Sequence, residues 1–430
     1  ARGLFTVSVA HGAGTSSSNL SGLRTSETSG NAGTPQQPAT AAASSNANNT
    51  FSTDFTLAPG AIKTIDIFAD SGSSAGATAT VISTVTVTSL GTISNVSATS
   101  AATVGQTITF RTGTIGTPTI ATANTTVAQL IAAANGGNTD GSKAVYNFTS
   151  ADASATISEL TFTVAGTTTA TYDKVGNVSA PVVAGTAYLT GLSIVVPNGG
   201  SGVNVDVFVS YPEVGTSGLA SATTSALTLT TIKSTSGNTT TTSVVSVAAP
   251  TMTLVGSKPA YTIADSSDTL VNGSVKVAEV TVTADAKGDV KVGQLPITVT
   301  STGVVTVAAA ADNIVVKDTS GATIATKNAS FAVSAGGSTT GIICFDQTGA
   351  GCTGGAAVGN AYLIPAGTSK TFRIYVTAAT VSGAVNTTSL STKLGAASSA
   401  TYYDVAGGAS AAQAATLLYN YPTDTSVISN

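Results

Sequence analysis

The stretch FTLAPGAIKTIDIFAD, residues 55–70, decides the fold, because the chain repeats it. A third copy, VPNGGSGVNVDVFVS (196–210), carries one inserted residue and aligns through VDVF. A phrase that returns at this spacing indicates tandem structural modules. The closest copy of residues 57–70, IPAGTSKTFRIYVT (364–377), shares these pairs: Gly60/Gly367, Lys63/Lys370, Thr64/Thr371, Ile67/Ile374 and Phe68/Tyr375.

The repeated phrase has the pattern of a β-strand that follows a tight turn. Ile65 and Ile67 alternate with Thr64 and Asp66, and this period of two predicts one buried and one wetter face. Pro-Gly, Asn-Gly and Ala-Gly pairs precede the three copies and indicate turns. The phrase therefore predicts an all-β fold.

A second phrase occurs twice and divides the chain into modules. ISELTFTV (157–164) and VGQLPITV (292–299) match at identical spacing, and each follows an ADA segment. The order of the two phrases predicts three modules, 1–100, 101–245 and 246–430. Short strands punctuated by turns favour tandem immunoglobulin-like β-sandwiches, although the chain has no Trp for the usual sandwich core.

The composition supports this fold class. Only 8% of the residues are charged, whereas Ser and Thr together number 128 and Gly 45. Hydroxyl-rich and β-branched residues suit pleated, half-buried surfaces. Two segments carry helix signals: we expect one short helix over 125–137, and either helix or sheet over 409–419.

Charge and hydropathy exclude some functions. A net charge of −4, a pI of about 4.9 and the lack of a basic cluster argue against a nucleic-acid partner. No apolar run reaches the roughly 18 residues that a transmembrane helix needs. The chain opens at Ala1-Arg2, as a processed secreted product or a trimmed chain would.

The two cysteines lie close together in CFDQTGAGC, residues 344–352. We expect a disulfide between Cys344 and Cys352, which fits an extracellular location; two free thiols in a cytosolic loop are the alternative. A zinc site would need further ligands, and the single histidine, His11, is far away in sequence.

The first module is incomplete, because nothing in it resembles ISELTFTV. A sandwich that lacks a strand exposes an open edge, which a strand lent by a neighbouring copy can cover. The segment 3–10 is the candidate donor, and the low-complexity tract 12–50 behind it is typical of disorder. Donation along a chain of copies would build a filament, whereas pairing of 3–10 within its own module is the alternative. The apolar residues of the candidate donor strand are Leu4, Phe5, Val7 and Val9.

The sequence offers little catalytic chemistry. With one histidine, no Ser-His-Asp or Cys-His site can form except through His11, so we expect no enzyme activity and no cofactor. Calcium is a minor alternative at Asp265 and Asp268 or at the repeated turn residues Asp152 and Asp285, which are otherwise turn caps.

Ten Asn-x-Ser/Thr sequons make the chain a candidate glycoprotein, in slight excess over what its composition predicts. They are Asn19, Asn48, Asn95, Asn124, Asn147, Asn177, Asn238, Asn272, Asn328 and Asn386.

The repeated phrase, together with VKVGQLPITV and DNIVVKDTSGATIA (312–325), resembles a repeat of secreted surface proteins of ultra-small, uncultivated bacteria. The resemblance is clearest over about 270–380, fair over 140–215 and partial over 1–100. It implies an immunoglobulin-like sandwich displayed on the cell surface, as in S-layer, adhesin-like or pilus-like proteins, and it carries no functional residues.

Together these features predict a non-enzymatic subunit of an extracellular, pilus-like filament that binds copies of itself. An S-layer lattice protein is one alternative. A cell-surface adhesin that contacts a glycan or host surface is another, for which Tyr402-Tyr403, Tyr419 and Tyr421 are candidate contact residues or core residues.

Overall fold

The computed structural model describes residues 2–11, 20–26, 46–53, 56–71, 80–109, 111–165, 170–237 and 239–430. The described residues form an all-β protein with several sheets, and they contain no α-helix. The prediction of an all-β fold is confirmed. Single 3₁₀ turns occur at Ala350–Cys352, Ala397–Ser399 and Ala415–Leu417.

The N-terminal unit contains a five-stranded sheet with β1 and β5 at its centre, and a two-stranded ribbon of β2 and β4. Because β6 and β7 both pair with β5, this unit extends past residue 100. Its strands are β1 (Arg2–His11), β2 (Leu20–Ser26), β3 (Asn46–Thr53), β4 (Asp66–Ser71), β5 (Thr80–Leu90), β6 (Ser97–Thr99) and β7 (Thr103–Thr109).

The second unit consists of two sheets that face each other across one core. Its strands are β8 (Thr114–Ile115), β9 (Thr119–Ile120), β10 (Leu130–Ala132), β11 (Asn138–Phe148), β12 (Ser150–Ala151), β13 (Ala155–Ala165), β14 (Tyr172–Val175), β15 (Val178–Pro181), β16 (Thr186–Val196), β17 (Val203–Tyr211), β18 (Thr223–Ser236), β19 (Thr239–Ala248) and β20 (Met252–Val255). One sheet has the order β10-β20-β18-β13-β16, with β19 also on β18, and the other has the order β15-β14-β17-β11-β9.

The third unit repeats this arrangement with more strands. They are β21 (Pro259–Ala264), β22 (Gly273–Ala284), β23 (Val290–Thr302), β24 (Thr306–Ala310), β25 (Val315–Lys317), β26 (Lys327–Asn328), β27 (Phe331–Val333), β28 (Ser338–Cys344), β29 (Tyr362–Ile364), β30 (Ser369–Ala379), β31 (Ser389–Leu394), β32 (Thr401–Asp404), β33 (Gln413–Ala414) and β34 (Thr425–Ser429). One sheet runs β21-β22-β30-β24-β27 and the other is built around β26-β28-β23-β31-β34.

The two repeated phrases occupy equivalent places in the second and third units. ISELTFTV lies in β13 and VGQLPITV in β23, and each strand is flanked by a neighbour on both sides. The copies of the first phrase form β17 and β30, in the opposite sheet of each unit. The aligned turn glycines Gly60 and Gly367 both adopt positive φ, at 80° and 67°, which explains why glycine recurs there.

The alternation predicted for these strands is observed. Leu160, Phe162 and Val164 point into the core of the second unit, and Leu295 and Ile297 point into the core of the third. Each core is lined by both sheets of its unit, so each unit has a sandwich-like architecture.

One sequence expectation needs correction. The segment 125–137 forms turns around β10 instead of a helix, because Leu130, Ile131 and Ala132 pair in parallel with β20. The segment 409–419 contains β33 and a single 3₁₀ turn. β20, which lies just beyond the boundary predicted at residue 245, pairs with β18 and β10.

Candidate functional site

The candidate donor strand pairs within its own chain. β1 is antiparallel to β3 over Gly3–Ala10 and to β5 over Arg2–His11. This is the internal arrangement that the sequence left open beside donation. The described residues of the tract 12–50 form β2 and part of β3, and the rest of the tract lies outside the described residues.

The residues of the N-terminal unit whose exposure the structure describes are exposed or half-buried. Among residues 56–68, 84–105 and 109, whose exposure the structure describes, none is buried. Several aliphatic side chains there face solvent: Ile62 is 94% exposed, Ile93 99% and Val104 65%. Of these three, Val104 lies in β7, whereas Ile62 and Ile93 lie in loops between strands.

The second and third units are joined by the buried carboxylate of Asp404. This residue ends β32 of the third unit and is fully buried. Its Oδ2 accepts hydrogen bonds from the Gly256 amide at 2.7 Å and the Ser221 hydroxyl at 2.6 Å. Its Oδ1 accepts from the amides of Ser257 at 2.8 Å and Gly407 at 2.9 Å. One charge therefore satisfies four donors from both units.

Lysines reinforce this junction. Lys258 Nζ donates to the Leu130 carbonyl and Lys287 Nζ to the Gly137 carbonyl, both at 2.7 Å. Burial lowers the pKa of Lys258. A Cβ on Gly256 would come within 2.2 Å of the Gly407 nitrogen, so the two backbones touch here. The two units are thus fastened by directed bonds at close range.

The cores of the two units also meet at this junction. Neighbouring side chains of β10 point into different cores: Ile131 packs in the core of the second unit and Leu130 in the core of the third. In β20, Leu254 and Val255 divide in the same way. This continuity makes the second and third units one extended body.

The disulfide loop lies in the third unit. Cys344 and Cys352 are bonded to each other, and Cys344 is buried. Asp346 inside the loop is fully buried, and the Tyr403 hydroxyl donates to its Oδ2 at 3.0 Å. A further anchor is Asp312, whose Oδ1 accepts a hydrogen bond from the Gly351 amide of the loop at 3.4 Å. The pKa of Asp312 is lowered, chiefly by the hydrogen bond from the Asn328 amide. The loop is therefore pinned to the body of the unit.

The second unit buries a carboxyl group without a partner. Asp173 of β14 faces the sandwich interior, and within the described chain neither of its oxygens has a hydrogen-bond partner. Burial raises its pKa to about 7, so the carboxyl is largely protonated below neutral pH. The nearby tyrosines Tyr146 and Tyr211 have raised pKa values for the same main reason.

Three of the candidate calcium residues make ordinary polar contacts. Asp152 forms an ion pair with Arg111 at 2.7 Å, and Asp285 caps the Lys287 amide at 2.9 Å. Asp268 accepts a hydrogen bond from the Lys276 amide, and Asp265 is exposed. In the described ranges no group of three His, Cys, Asp or Glu side chains could hold a metal ion.

The sequons divide by accessibility. Asn328 is buried and its Nδ2 donates to Asn313 and to the Ala329 carbonyl, so a glycan there does not fit the folded chain. Asn147 is half-buried, and Asn48 lies in β3 opposite Ser8. Asn19 and Asn238 fall outside the described residues. The exposed acceptors are Asn95, Asn124, Asn177, Asn272 and Asn386.

The tyrosines proposed for an adhesive face have different environments. Tyr402 and Tyr403 are buried in the third unit. Tyr421 packs edge-on against Tyr261 at 5.5 Å, and Tyr419 is exposed. They do not form a shared surface.

The chain matches no protein-family model, and no curated protein sequence is significantly similar to it. In the described part of the chain, no helix has the length and hydropathy needed to cross a bilayer. Functional inference therefore depends on the geometry of the chain itself.

Proposed function

We propose that this protein is a non-enzymatic structural subunit of an extracellular, pilus-like filament on the cell surface, in which copies join head to tail through the N-terminal unit. The single observation that carries the proposal is the contrast in burial. The second and third units each have a buried apolar core, whereas none of the N-terminal residues whose exposure the structure describes (56–68, 84–105 and 109) is buried. We expect a neighbouring copy to cover exposed aliphatic side chains of this unit such as Val104.

The pairing of β1 makes strand exchange a reasonable route of assembly. β1 lies between two antiparallel partners along nearly its whole length. If β1 of one copy takes the same place in the next copy, every main-chain hydrogen bond is kept, as in domain swapping. Because the exchanged β1 makes the same contacts as the chain's own β1, the free-energy cost of exchange comes mainly from the entropy lost when two molecules are joined. Head-to-tail exchange that does not close produces a filament.

The rest of the molecule suits a mechanical role outside the cell. The Asp404 junction fixes two units to each other, and a disulfide is stable in oxidising compartments. Hydroxyl groups on neighbouring strands bond to one another on the outer faces, as in Thr281–Thr371 and Thr298–Thr340, both at 2.8 Å. Hydroxyl groups that already bond to one another cost less free energy to remove from water than charged groups do, which favours packing between copies.

An S-layer lattice is a second candidate, favoured by the lateral edges of the second unit. β16 and β19 each have one sheet neighbour among the described strands, and neither contains a charged residue or proline. Uncharged edge strands are open to pairing with another chain. Pairing at these edges would extend the assembly sideways into a sheet.

Electron microscopy of the native material distinguishes the two candidates, because a filament and a lattice differ on sight. The mechanism is tested by deleting residues 1–11, which contain β1. We expect the truncated protein to remain monomeric, and a synthetic peptide of residues 1–11 to restore its β1 site without restoring polymers. Filaments that form equally well from the truncated protein would refute strand exchange.

A further inference from the structure

The outer face of a sheet in the second unit carries a cleft that the proposed assembly does not use. It has a volume of about 660 Å³ and lies at the end of the sheet where β14, β17 and β11 meet. Its lining combines two tyrosines, the exposed Tyr172 and the buried Tyr211, with charged and hydroxyl side chains. The residues that the argument uses are Thr139, Asp140, Tyr172, Lys174, Ser179 and Glu213.

The wall of the cleft is set by an irregularity in β11. The register with β17 passes from Asn138↔Tyr211 to Ser142↔Val209, so β11 has two extra residues at this point. Bulges of this kind redirect side chains and are frequent beside binding sites. Asp140, within the bulge, has φ of +49°, a conformation that is uncommon for a residue other than glycine.

The wall is also fixed in place before any ligand arrives. A Cβ on Gly137 would lie 2.3 Å from the Tyr211 carbonyl oxygen, so the turn presses directly on β17. The Tyr211 hydroxyl is hydrogen-bonded to Ser142 Oγ, which ties β17 to β11 below the bulge. A pre-formed cleft loses little conformational entropy when it binds.

The charges in the cleft largely compensate one another. Lys174 Nζ lies 2.8 Å from Asp140 Oδ2, and the Asp140 amide donates to Ser210 Oγ at 3.0 Å. Glu213 adds one exposed carboxylate at the rim. With one lysine against two carboxylates the lining has one net negative charge, and the Lys174–Asp140 pair offers fixed donors and acceptors to a neutral ligand rich in hydroxyl groups.

Tyr172 supplies the remaining feature. Its side chain is 53% exposed although it lies on a sheet strand, on the same face as Lys174. An exposed ring beside hydrogen-bonding groups can stack on the apolar face of a sugar ring, while the polar groups bind the hydroxyls. We propose that this cleft is a binding site for a saccharide, with Tyr172 as the stacking platform and Asp140, Lys174 and Ser179 as hydroxyl partners.

The proposal is tested by saturation-transfer-difference NMR on the purified full chain. Glucose, galactose, mannose, N-acetylglucosamine and fucose are added one at a time. We expect at least one of them to bind with a Kd of about 1 mM, as is usual for a small ligand with few contacts. Tyr172→Ala is expected to weaken binding about tenfold, and Tyr172→Phe to preserve it, because the ring is what stacks.

Tyr188→Ala is the matched control, since Tyr188 is 65% exposed in the same unit but lies on β16 of the opposite sheet. It should leave the Kd unchanged, and thermal unfolding should show that all three variants are folded. The proposal is overturned if no sugar gives saturation transfer at about ten times the expected Kd. It is equally overturned if Tyr172→Ala and Tyr188→Ala change binding to the same extent. Neither result bears on filament formation.

Discussion

Replacing Asp404 by Asn should uncouple the second and third units. An amide has one oxygen where the carboxylate has two, so two of the four donors around Asp404 would face an NH₂ group. The amides of Gly256, Ser257 and Gly407 cannot turn away, because the backbone fixes them. If the NH₂ group takes the place of Oδ2, the Ser221 hydroxyl can rotate to accept from it, so either one or two backbone amides lose their acceptor. A hydrogen bond to a charged group contributes about 1.5–3 kcal/mol, so the substitution should cost about 1.5–6 kcal/mol.

This loss is large beside a total stability of about 5–15 kcal/mol for a typical domain. Equilibrium unfolding in guanidinium chloride, followed by far-UV circular dichroism and tyrosine fluorescence, measures it. We expect the unmodified second and third units to unfold together and Asp404→Asn to give a lower midpoint with two separated transitions. Asp424→Asn is the control, because Asp424 is exposed in the same unit and should change stability by less than about 0.5 kcal/mol.

The reasoning would be refuted if Asp404→Asn matched Asp424→Asn in midpoint and kept a single transition. That result would mean that the apolar contacts of β10 and β20 alone hold the two units together.

Three further predictions concern individual residues. Burial raises the pKa of Asp173 from 3.8 to about 7, so the folded protein holds a proton there that the unfolded chain releases. The free energy of unfolding that this proton adds is complete below pH ~3.8 and is lost as the pH rises through about 7, a decrease of about 4 kcal/mol. In a series of thermal melts between pH 4 and 8, Asp173→Val should remove this decrease. Gly137→Ala should lower the melting temperature clearly more than Gly136→Ala, since both glycines have positive φ but only the first faces a carbonyl oxygen, at 2.3 Å; equal effects would contradict the close contact. Reduction of the Cys344–Cys352 bond should destabilise the third unit by about 2–3 kcal/mol in denaturant titrations with and without reductant, and an unchanged midpoint would contradict this.

The strand architecture could be predicted because its signals are local. The alternation in 157–164 and 292–299 reports which side chains face a core, and the structure buries the expected set. The helix predicted over 125–137 was wrong. The apolar residues there, beginning with Leu130, are spaced as in a helix, but they pair in parallel with a strand that is distant in sequence, β20. Pairing over more than one hundred residues leaves no mark on the local pattern.

The functional residues were harder to find. In TYDKV (171–175), period two places Asp173 on the same face as Val175, and that signal could have revealed the buried carboxyl. Asp404 gave no comparable signal, because its role depends on Gly256 and Ser221, which are distant in sequence. The cleft at Tyr172 likewise depends on a bulge that only the pairing register shows.

Exchange of β1 between copies is tested most directly with engineered cysteines at a register pair. Val7 of β1 lies opposite Val85 of β5, and paired antiparallel residues are close enough for a disulfide. One preparation carries Val7→Cys, a second carries Val85→Cys, and the two are assembled together under mild oxidation. We predict covalent links between the two variants. A chain that carries both substitutions is the control for the geometry of the pair. If that chain forms the disulfide within itself but the mixture of single variants forms no covalent links, strand exchange is contradicted.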